Sequence, residues 1–111
     1  MALEKTNRIN TLLSFYESLL SDKQRKYMNL YYREDLSLTE IADSFDVSRQ
    51  AVYDAVNRSE KTLETYEKDL HLVKDFSINL EVIEKAIDYV DENYPEDKKL
   101  KFILNQFKIR E

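Results

Sequence analysis

Residues 37–66, SLTEIADSFDVSRQAVYDAVNRSEKTLETY, have the spacing of a helix-turn-helix. Apolar side chains recur on one side of a short helix and, after a polar break, on one side of a second, at Ile41, Ala42, Phe45, Val52 and Ala55. The turn between two steeply crossing helices needs a residue that tolerates left-handed dihedral angles. The chain has no glycine, so we predict that Asp46 adopts this conformation. An ordinary helical hairpin with the same spacing is the alternative interpretation.

Serine residues mark the predicted helix starts. Ser37 is followed three residues later by Glu40, which is the capping-box pattern, and Ser48 is a favourable N-cap for the second helix of the motif. Ser21 and Gln24 repeat the capping-box pattern upstream. The sequence therefore predicts helices that begin directly after these three serines.

Helical periodicity extends over the rest of the chain, and no strand pattern is strong enough to predict a sheet. We predict an all-α fold of five or six helices, in which the helix-turn-helix is joined by further amphipathic helices. The first helix should run from about Thr6 to Leu20 and the second should end near Arg33. A later helix should be capped by Ser77, and Pro95 should open the last one.

The second helix of the motif has no glycine or proline to end it. Its apolar stripe continues at alternating spacings of four and three residues, through Val52, Val56, Ser59, Leu63, Tyr66, Leu70 and Val73. A seam of this kind requires a partner helix. We predict a homodimer with Val56, Leu63, Tyr66 and Leu70 in its interface. The alternative is that the seam closes on a helix of its own chain, such as the one after Ser77.

At 111 residues the chain has the length of one domain. We predict a single helical domain in which residues 1–36 support the motif, residues 37–68 form it and residues 69–111 add further helices. There is no cysteine, no N-terminal apolar run before a cleavage site, and no apolar stretch near the roughly 18 residues that span a bilayer. These features predict a cytoplasmic protein that does not insert into membranes.

The residues needed for common catalytic chemistry are scarce. Without glycine the chain cannot form the usual phosphate-binding or calcium-binding loops. His71 is the only histidine, so a zinc site or a catalytic triad would have to be built around one imidazole. We predict no enzyme activity, no cofactor, no metal site and no small-molecule substrate.

The outward face of the second motif helix carries a set of polar side chains suited to nucleic-acid recognition: Arg49, Gln50, Tyr53, Asn57, Arg58 and Lys61. Arg can pair with guanine and Gln or Asn with adenine, and recognition helices touch bases mainly with their N-terminal residues. However, 17 Lys and Arg against 22 Asp and Glu give a net charge of −5, whereas phosphate affinity comes largely from clustered cations. The alternative interpretation is that this face is an ordinary polar surface.

Residues 12–72, and most specifically VSRQAVYDAVNRSEKTLE within them, resemble the YlxM-like family of helix-turn-helix proteins, which are encoded in bacterial signal recognition particle operons. The motif also looks like the promoter-recognising fourth region of bacterial sigma factors. The resemblance implies a cytoplasmic protein that regulates, or takes part in, signal recognition particle-dependent protein targeting.

Two functional hypotheses follow. In the first, a dimer binds DNA with two recognition helices and regulates transcription. In the second, the helix-turn-helix is a docking module that acts on the targeting GTPase or its RNA without binding DNA. The motif favours the first hypothesis, and the acidic charge favours the second.

Overall fold

The computed structural model describes residues 3–109 and the side chains of residues 3–107, and every regular element in this range is helical. Six α-helices are found there: α1 Leu3–Tyr16, α2 Asp22–Tyr32, α3 Leu38–Phe45, α4 Arg49–Leu70, α5 Leu72–Asn93 and α6 Lys98–Ile109. A 3₁₀ turn, Glu17–Leu19, follows α1. The all-α prediction is confirmed. No helix in the described range is both long and apolar enough to cross a bilayer.

The chain divides into two compact units, Met1–Val73 and Lys74–Glu111, which we call the N-terminal and C-terminal units. We therefore describe two units where the sequence led us to expect a single domain. The reason is the distribution of burial. The main hydrophobic core is built by α1 to α4, whereas α5 and α6 leave most of their large apolar side chains exposed.

The predicted serine caps are present in the structure. The Ser21 and Ser37 hydroxyls each accept a hydrogen bond from the backbone N–H three residues later, and the side chains at those positions, Gln24 and Glu40, accept in return from the serine N–H. The Ser48 hydroxyl accepts from the Ala51 N–H at 3.0 Å. These bonds satisfy N–H groups that a helix start leaves unpaired, so α2, α3 and α4 begin where the sequence predicts.

Asp46 adopts the left-handed conformation predicted for the turn, with φ 55° and ψ 48°. The next residue, Val47, donates its N–H to the Ala42 carbonyl at 3.1 Å, which closes the end of α3. Asp35 and His71 also have positive φ. Polar side chains thus occupy the positions where glycine is usually found.

Helix α4 is the centre of the N-terminal unit and packs against α1, α2 and α3. The side chains that are less than 2% exposed in this core are Leu12, Leu13, Tyr16, Tyr27, Met28, Ile41, Val52, Ser59 and Leu63. Phe45 is less buried than the periodicity suggests, and its ring lies edge-on to Tyr27 with 5.0 Å between centroids. The support helices predicted from residues 1–36 thus cover the inner face of the helix-turn-helix.

The apolar seam of α4 packs against other helices of its own chain over most of its length. Val56 and Leu63 are buried in the core with α1 and α2, and Tyr66 is half-buried and donates its hydroxyl to the Leu19 carbonyl at 3.2 Å. The assignment of Val56 and Leu63 to a dimer interface is therefore wrong, because their own chain already covers them. Leu70 stays 48% exposed, and its place in an interface remains a prediction.

Three helix boundaries differ from the predictions. Helix α1 ends at Tyr16, and the chain continues as the 3₁₀ turn to Leu19. Helix α5 begins at Leu72 rather than after Ser77, because only His71 interrupts the helix, in a left-handed conformation. Pro95 does not open α6. That helix starts at Lys98, and an Asp97 carboxylate oxygen accepts the Leu100 N–H at 3.0 Å.

The start of α5 is held by two buried side chains from other helices of the N-terminal unit. The Tyr16 hydroxyl donates to a Glu67 carboxylate oxygen at 2.6 Å and accepts the Leu72 N–H at 3.0 Å. The same Glu67 oxygen accepts the Val73 N–H at 3.0 Å. We call this arrangement of Tyr16, Glu67 and the two N–H groups the α5 clasp.

Candidate nucleic-acid interface

The N-terminal end of α4 presents an open polar surface formed by Arg49, Gln50 and Tyr53. Arg49 and Gln50 are the first two residues of α4, directly after the Ser48 cap. All three side chains are exposed, and Tyr53 keeps 46% of its surface accessible. The Asp46 turn and the Ser48 cap therefore place these groups where a recognition helix contacts base edges, beside a helix end that favours negative charge.

Asp54 lies in this surface and is hydrogen-bonded to one of the side chains that were predicted to contact bases. The Gln50 side-chain amide donates to an Asp54 carboxylate oxygen at 2.9 Å, one helical turn away. The bond orients Gln50 and also uses one of its two amide donors. A base that pairs with Gln50 would have to compete with this contact.

Asn57 and Lys61 lie in a groove between α1 and α4 with a volume of about 550 Å³. The other residues that line it are Lys5, Arg8, Ile9, Glu60, Glu64 and Thr65. Asn57 is half-buried there, while Lys61 is exposed. The structure thus places these two predicted residues beside α1, next to the open surface of Arg49, Gln50 and Tyr53.

The charges of this groove are largely paired across the two helices. Lys5 contacts Glu60 at 3.1 Å, and the Arg8 guanidinium makes two hydrogen bonds to the Glu64 carboxylate, at 2.8 and 3.2 Å. The hydrogen bond to Glu64 raises the pKa of Arg8 above its ordinary value. Glu60 also accepts the Tyr32 hydroxyl. Burial, followed by this hydrogen bond, raises the pKa of Tyr32. Two acidic side chains of α4 are thereby neutralised by α1.

Arg58 lies on a different side of α4 from Arg49, because nine residues are about two and a half helical turns. It lines a pocket of about 320 Å³ together with Ser21, Lys23, Gln24, Tyr27 and Ala55. The structure therefore does not bring the six predicted residues onto one surface. It separates them into the open end of α4, the α1–α4 groove and the side of α4 near α2.

Two basic residues of α2 were missed by the sequence analysis. Lys23 and Lys26 line a shallow pocket with the turn residue Val47, and the Lys23 ammonium lies 5.7 Å from the centre of the Tyr27 ring. The sequence shows that Lys23 and Lys26 are three residues apart on a predicted helix. It could not predict that they lie near the turn, because that proximity depends on the packing of α2 against α3 and α4.

Within residues 3–109, no cluster of His, Cys, Asp or Glu has the composition and proximity to hold a metal ion. The exposed Arg49, Gln50 and Tyr53 side chains of the α4 surface offer hydrogen bonding, charge and ring contact. This chemistry suits recognition of a polyanion or of a protein surface.

Helix α3, the left-handed turn at Asp46 and the exposed N-terminal end of α4 define a helix-turn-helix protein. A family model described as "Putative helix-turn-helix protein, YlxM / p13 like" matches residues 3–109, and the chain belongs to this family, UPF0122. It is 49% identical over 105 residues to a UPF0122 protein of Pediococcus pentosaceus, covering 95% of this chain and 93% of the relative. It is 52% identical over 100 residues to a UPF0122 protein of Streptococcus pyogenes serotype M5, covering 90% and 85%. The family resemblance noted from the sequence is confirmed.

Proposed function

We propose that the protein is a regulatory DNA-binding protein that inserts the N-terminal end of α4 into the major groove. The observation that carries this proposal is the exposure of Arg49, Gln50 and Tyr53 in the first turns of α4, directly after a capped helix-turn-helix turn. The family description supports the helix-turn-helix role. Membership in this class also supports a non-enzymatic function in the cytoplasm.

The pattern of ion pairs reduces the objection raised by the net charge of −5. Glu60, Glu64 and Glu17 are each engaged with a cation inside the N-terminal unit. Within the described part of the chain, Arg49 and Arg58 have no carboxylate partner within ion-pair distance. Arg49, the cation within the proposed interface, is therefore available to phosphate, and we expect modest affinity that weakens as salt rises.

The test is a titration of the full chain against a labelled duplex from the DNA upstream of its own gene and against a scrambled duplex, at two salt concentrations. Fluorescence anisotropy should show preference for the upstream duplex and a steep loss of affinity at the higher salt. Arg49→Ala combined with Gln50→Ala should reduce the preference by about tenfold or more, since each base contact contributes about 1–3 kcal/mol of discrimination.

Lys68→Ala is the matched control, because Lys68 is an exposed cation about five turns further along the same helix. This variant should keep the preference of the wild type, and circular dichroism should show equal helicity in all three proteins. An unchanged preference in the Arg49 and Gln50 double variant would reject the assignment of these residues.

We further propose that this activity serves signal recognition particle-dependent protein targeting, which is what the resemblance to the YlxM-like family implies. The specific alternative is a docking module for the targeting GTPase or its RNA, and the excess of acidic side chains favours it because such a surface meets a basic partner readily. Retention of the GTPase or the RNA, without preference for any duplex, would support docking and reject DNA reading.

A further inference from the structure

We propose that Lys23, Lys26 and Arg58 form a phosphate-binding strip that holds one DNA backbone beside the inserted end of α4. We call these three residues the basic strip. Lys23 and Lys26 belong to α2 and Arg58 belongs to α4, and all three side chains are exposed. This role rests on the proposed function and deepens it, because it names the side chains that contact the backbone rather than the bases.

Two neighbouring pockets make the basic strip continuous. Lys23 and Arg58 line the pocket of about 320 Å³ between α2 and α4. Lys23 and Lys26 line the pocket of about 340 Å³ that includes Val47 of the turn. Lys23 and Tyr27 belong to the lining of both. The strip therefore runs from the middle of α4, over the start of α2, to the turn that precedes α4.

The three cations are not committed to carboxylates of their own chain. Among the side chains described, residues 3–107, none of the three lies within ion-pair distance of an acidic group. The Lys23 ammonium lies 5.7 Å from the centre of the Tyr27 ring, a contact that orients it without using an N–H donor. The strip can therefore bind an anion without first breaking an ion pair.

Two acidic side chains lie beside the basic strip, and each has a partner. Asp22 is the one carboxylate among the residues that line the two pockets, and the Arg25 guanidinium contacts it at 3.5 Å. Asp54 lies one helical turn before Arg58 on α4, and it accepts a hydrogen bond from Gln50. The partners reduce the repulsion that these carboxylates exert on a phosphate.

Two further carboxylates stand towards the ends of the basic strip. Asp46 precedes Val47 in the turn. Glu34 lies about two helical turns beyond Lys26, where it shares a pocket with Arg25 and Lys26. Neither carboxylate lines the two pockets of the strip. The middle of the strip is therefore its most positive part, although the whole chain has a net charge of −5.

The position of Arg58 explains why the strip meets the backbone and not the bases. Arg58 follows Arg49 by nine residues, which is about 13.5 Å along the helix axis. The major groove of B-DNA is about 8.5 Å deep. When the first turns of α4 enter the groove, Arg58 stands at its rim, where the phosphates lie. Arg58 was predicted from the sequence to read bases, and the strip assigns it to the backbone instead.

A phosphodiester backbone is the partner that this arrangement fits best. Three separated cations in a row require a ligand with repeated negative charges, and each DNA strand presents one phosphate for about every 3.4 Å of helix axis. Contacts of this kind fix the orientation of a protein on the duplex and carry no sequence information. Because the strip ends at the turn before Arg49, one duplex can engage both surfaces.

The first test is the salt dependence of duplex binding by the full chain. Lys23→Gln combined with Lys26→Gln should weaken binding to the upstream and scrambled duplexes by the same factor, about tenfold or more at about 100 mM salt. The plot of log affinity against log salt should become less steep by nearly two, because each lost phosphate contact removes about 0.9 from the slope. The ratio of the two affinities should stay the same.

Two control variants accompany this test. Lys23→Arg combined with Lys26→Arg keeps both charges and should keep the slope of the wild type. Lys68→Gln removes an exposed cation from a distant part of α4 and should also leave the slope unchanged. Circular dichroism and thermal denaturation should show the same helicity and stability in all variants, which excludes loss of folding as the cause.

A second test separates the two roles considered for Arg58. Arg58→Gln should lower the slope by about one and keep the preference for the upstream duplex, since a phosphate contact is independent of sequence. Loss of preference with an unchanged slope would return Arg58 to base reading and overturn its place in the basic strip.

The outcomes distinguish the strip from the proposed function. An unchanged slope in the double glutamine variant overturns the strip even when the wild type prefers the upstream duplex. A wild type that binds both duplexes equally rejects sequence reading, yet supports the strip when the glutamine variant lowers the slope. A wild type that binds neither duplex overturns both. Variants that keep the slope but lose binding to polyglutamate overturn the phosphate contact and assign the strip to an acidic protein.

Discussion

Asp54 is the residue that most directly limits the proposed DNA interface. Its carboxylate lies among the exposed groups at the N-terminal end of α4 and accepts a hydrogen bond from Gln50. At this position it fixes the rotamer of a candidate reading group and also repels phosphate. A single side chain can therefore raise selectivity while it lowers affinity.

We expect Asp54→Asn to tighten binding to duplex DNA by about two- to fivefold, because relief of one like-charge contact in a solvated site is worth roughly 0.5–1 kcal/mol. The Asn side chain can still accept from Gln50, so sequence preference should be largely kept. Anisotropy titrations of both duplexes at low salt would measure the effect. Glu34→Gln, which removes an exposed charge from the end of α2, is the control. Affinity that falls in Asp54→Asn would contradict the assigned role of Asp54.

Tyr32 is the residue whose ionisation should govern stability at alkaline pH. Burial and the hydrogen bond to Glu60 raise its pKa, so the folded state holds the phenol proton more tightly than the unfolded chain does. The stabilisation is complete below the unfolded value of about 10 and decreases as pH rises through the folded value.

Tyr32→Phe should lower the free energy of unfolding by about 1–2 kcal/mol at pH 7, because Glu60 loses a donor in a partly buried site. The difference in the free energy of unfolding between the wild type and the variant should decrease above pH 10. Urea denaturation from pH 7 to 11 would measure it, with Tyr31→Phe as the neighbouring control. A gap that stays constant over this range would be inconsistent with a raised Tyr32 pKa.

At the scale of elements, the helix-turn-helix depends on a left-handed residue that is not glycine. Asp46 has φ 55°, a conformation that β-branched side chains strongly disfavour. Asp is among the few residues that adopt it readily, which explains how a chain without glycine can form this turn.

Asp46→Gly should preserve or slightly raise the free energy of unfolding, whereas Asp46→Val should lower it by about 2 kcal/mol or more. Asp43→Val provides the control, because Asp43 is exposed in the body of α3 and takes helical dihedral angles. Thermal denaturation of the three variants would rank them. Equal losses in Asp46→Val and Asp43→Val would mean that the turn conformation is not the cause.

Local sequence signals were sufficient to predict where α2, α3 and α4 begin. The serine caps, the Asp46 turn and the apolar spacing act within a few residues, and each is found where it was predicted. The α5 start could not be predicted in this way, because the groups that hold it, Tyr16 and Glu67, lie far from it in sequence.

The sequence also could not predict that the six candidate nucleic-acid-binding residues lie on three separate surfaces. Helical spacing put Asn57 and Lys61 on the polar side of α4. It could not show that α1 lies beside them and that Arg8 pairs with Glu64, since these contacts join residues more than 50 positions apart. The same limit applies to the seam, since the sequence could not show that α1 and α2 cover it over most of its length.

At the scale of the whole molecule, stability should reside mainly in the N-terminal unit. Leu63 is fully buried at the centre of α4, so Leu63→Ala should lower the free energy of unfolding by about 2–5 kcal/mol. Leu3→Ala changes the same side chain at an exposed position and should cost less than about 0.5 kcal/mol. Chemical denaturation followed by circular dichroism would compare them. Similar losses at the two positions would contradict a core centred on α4.

The α5 clasp places the border between the two units inside a helix instead of in a linker. The N–H groups of Leu72 and Val73 are bound by Tyr16 and Glu67, so the first two residues of α5 belong to the N-terminal unit while the rest of the helix belongs to the other. Insertions and domain exchange are tolerated mainly at exposed loops whose backbone is not engaged. The N-terminal unit is therefore not separated from the rest of the chain by a free linker, and any fusion protein that borrowed α1 to α4 would have to carry the beginning of α5 with them.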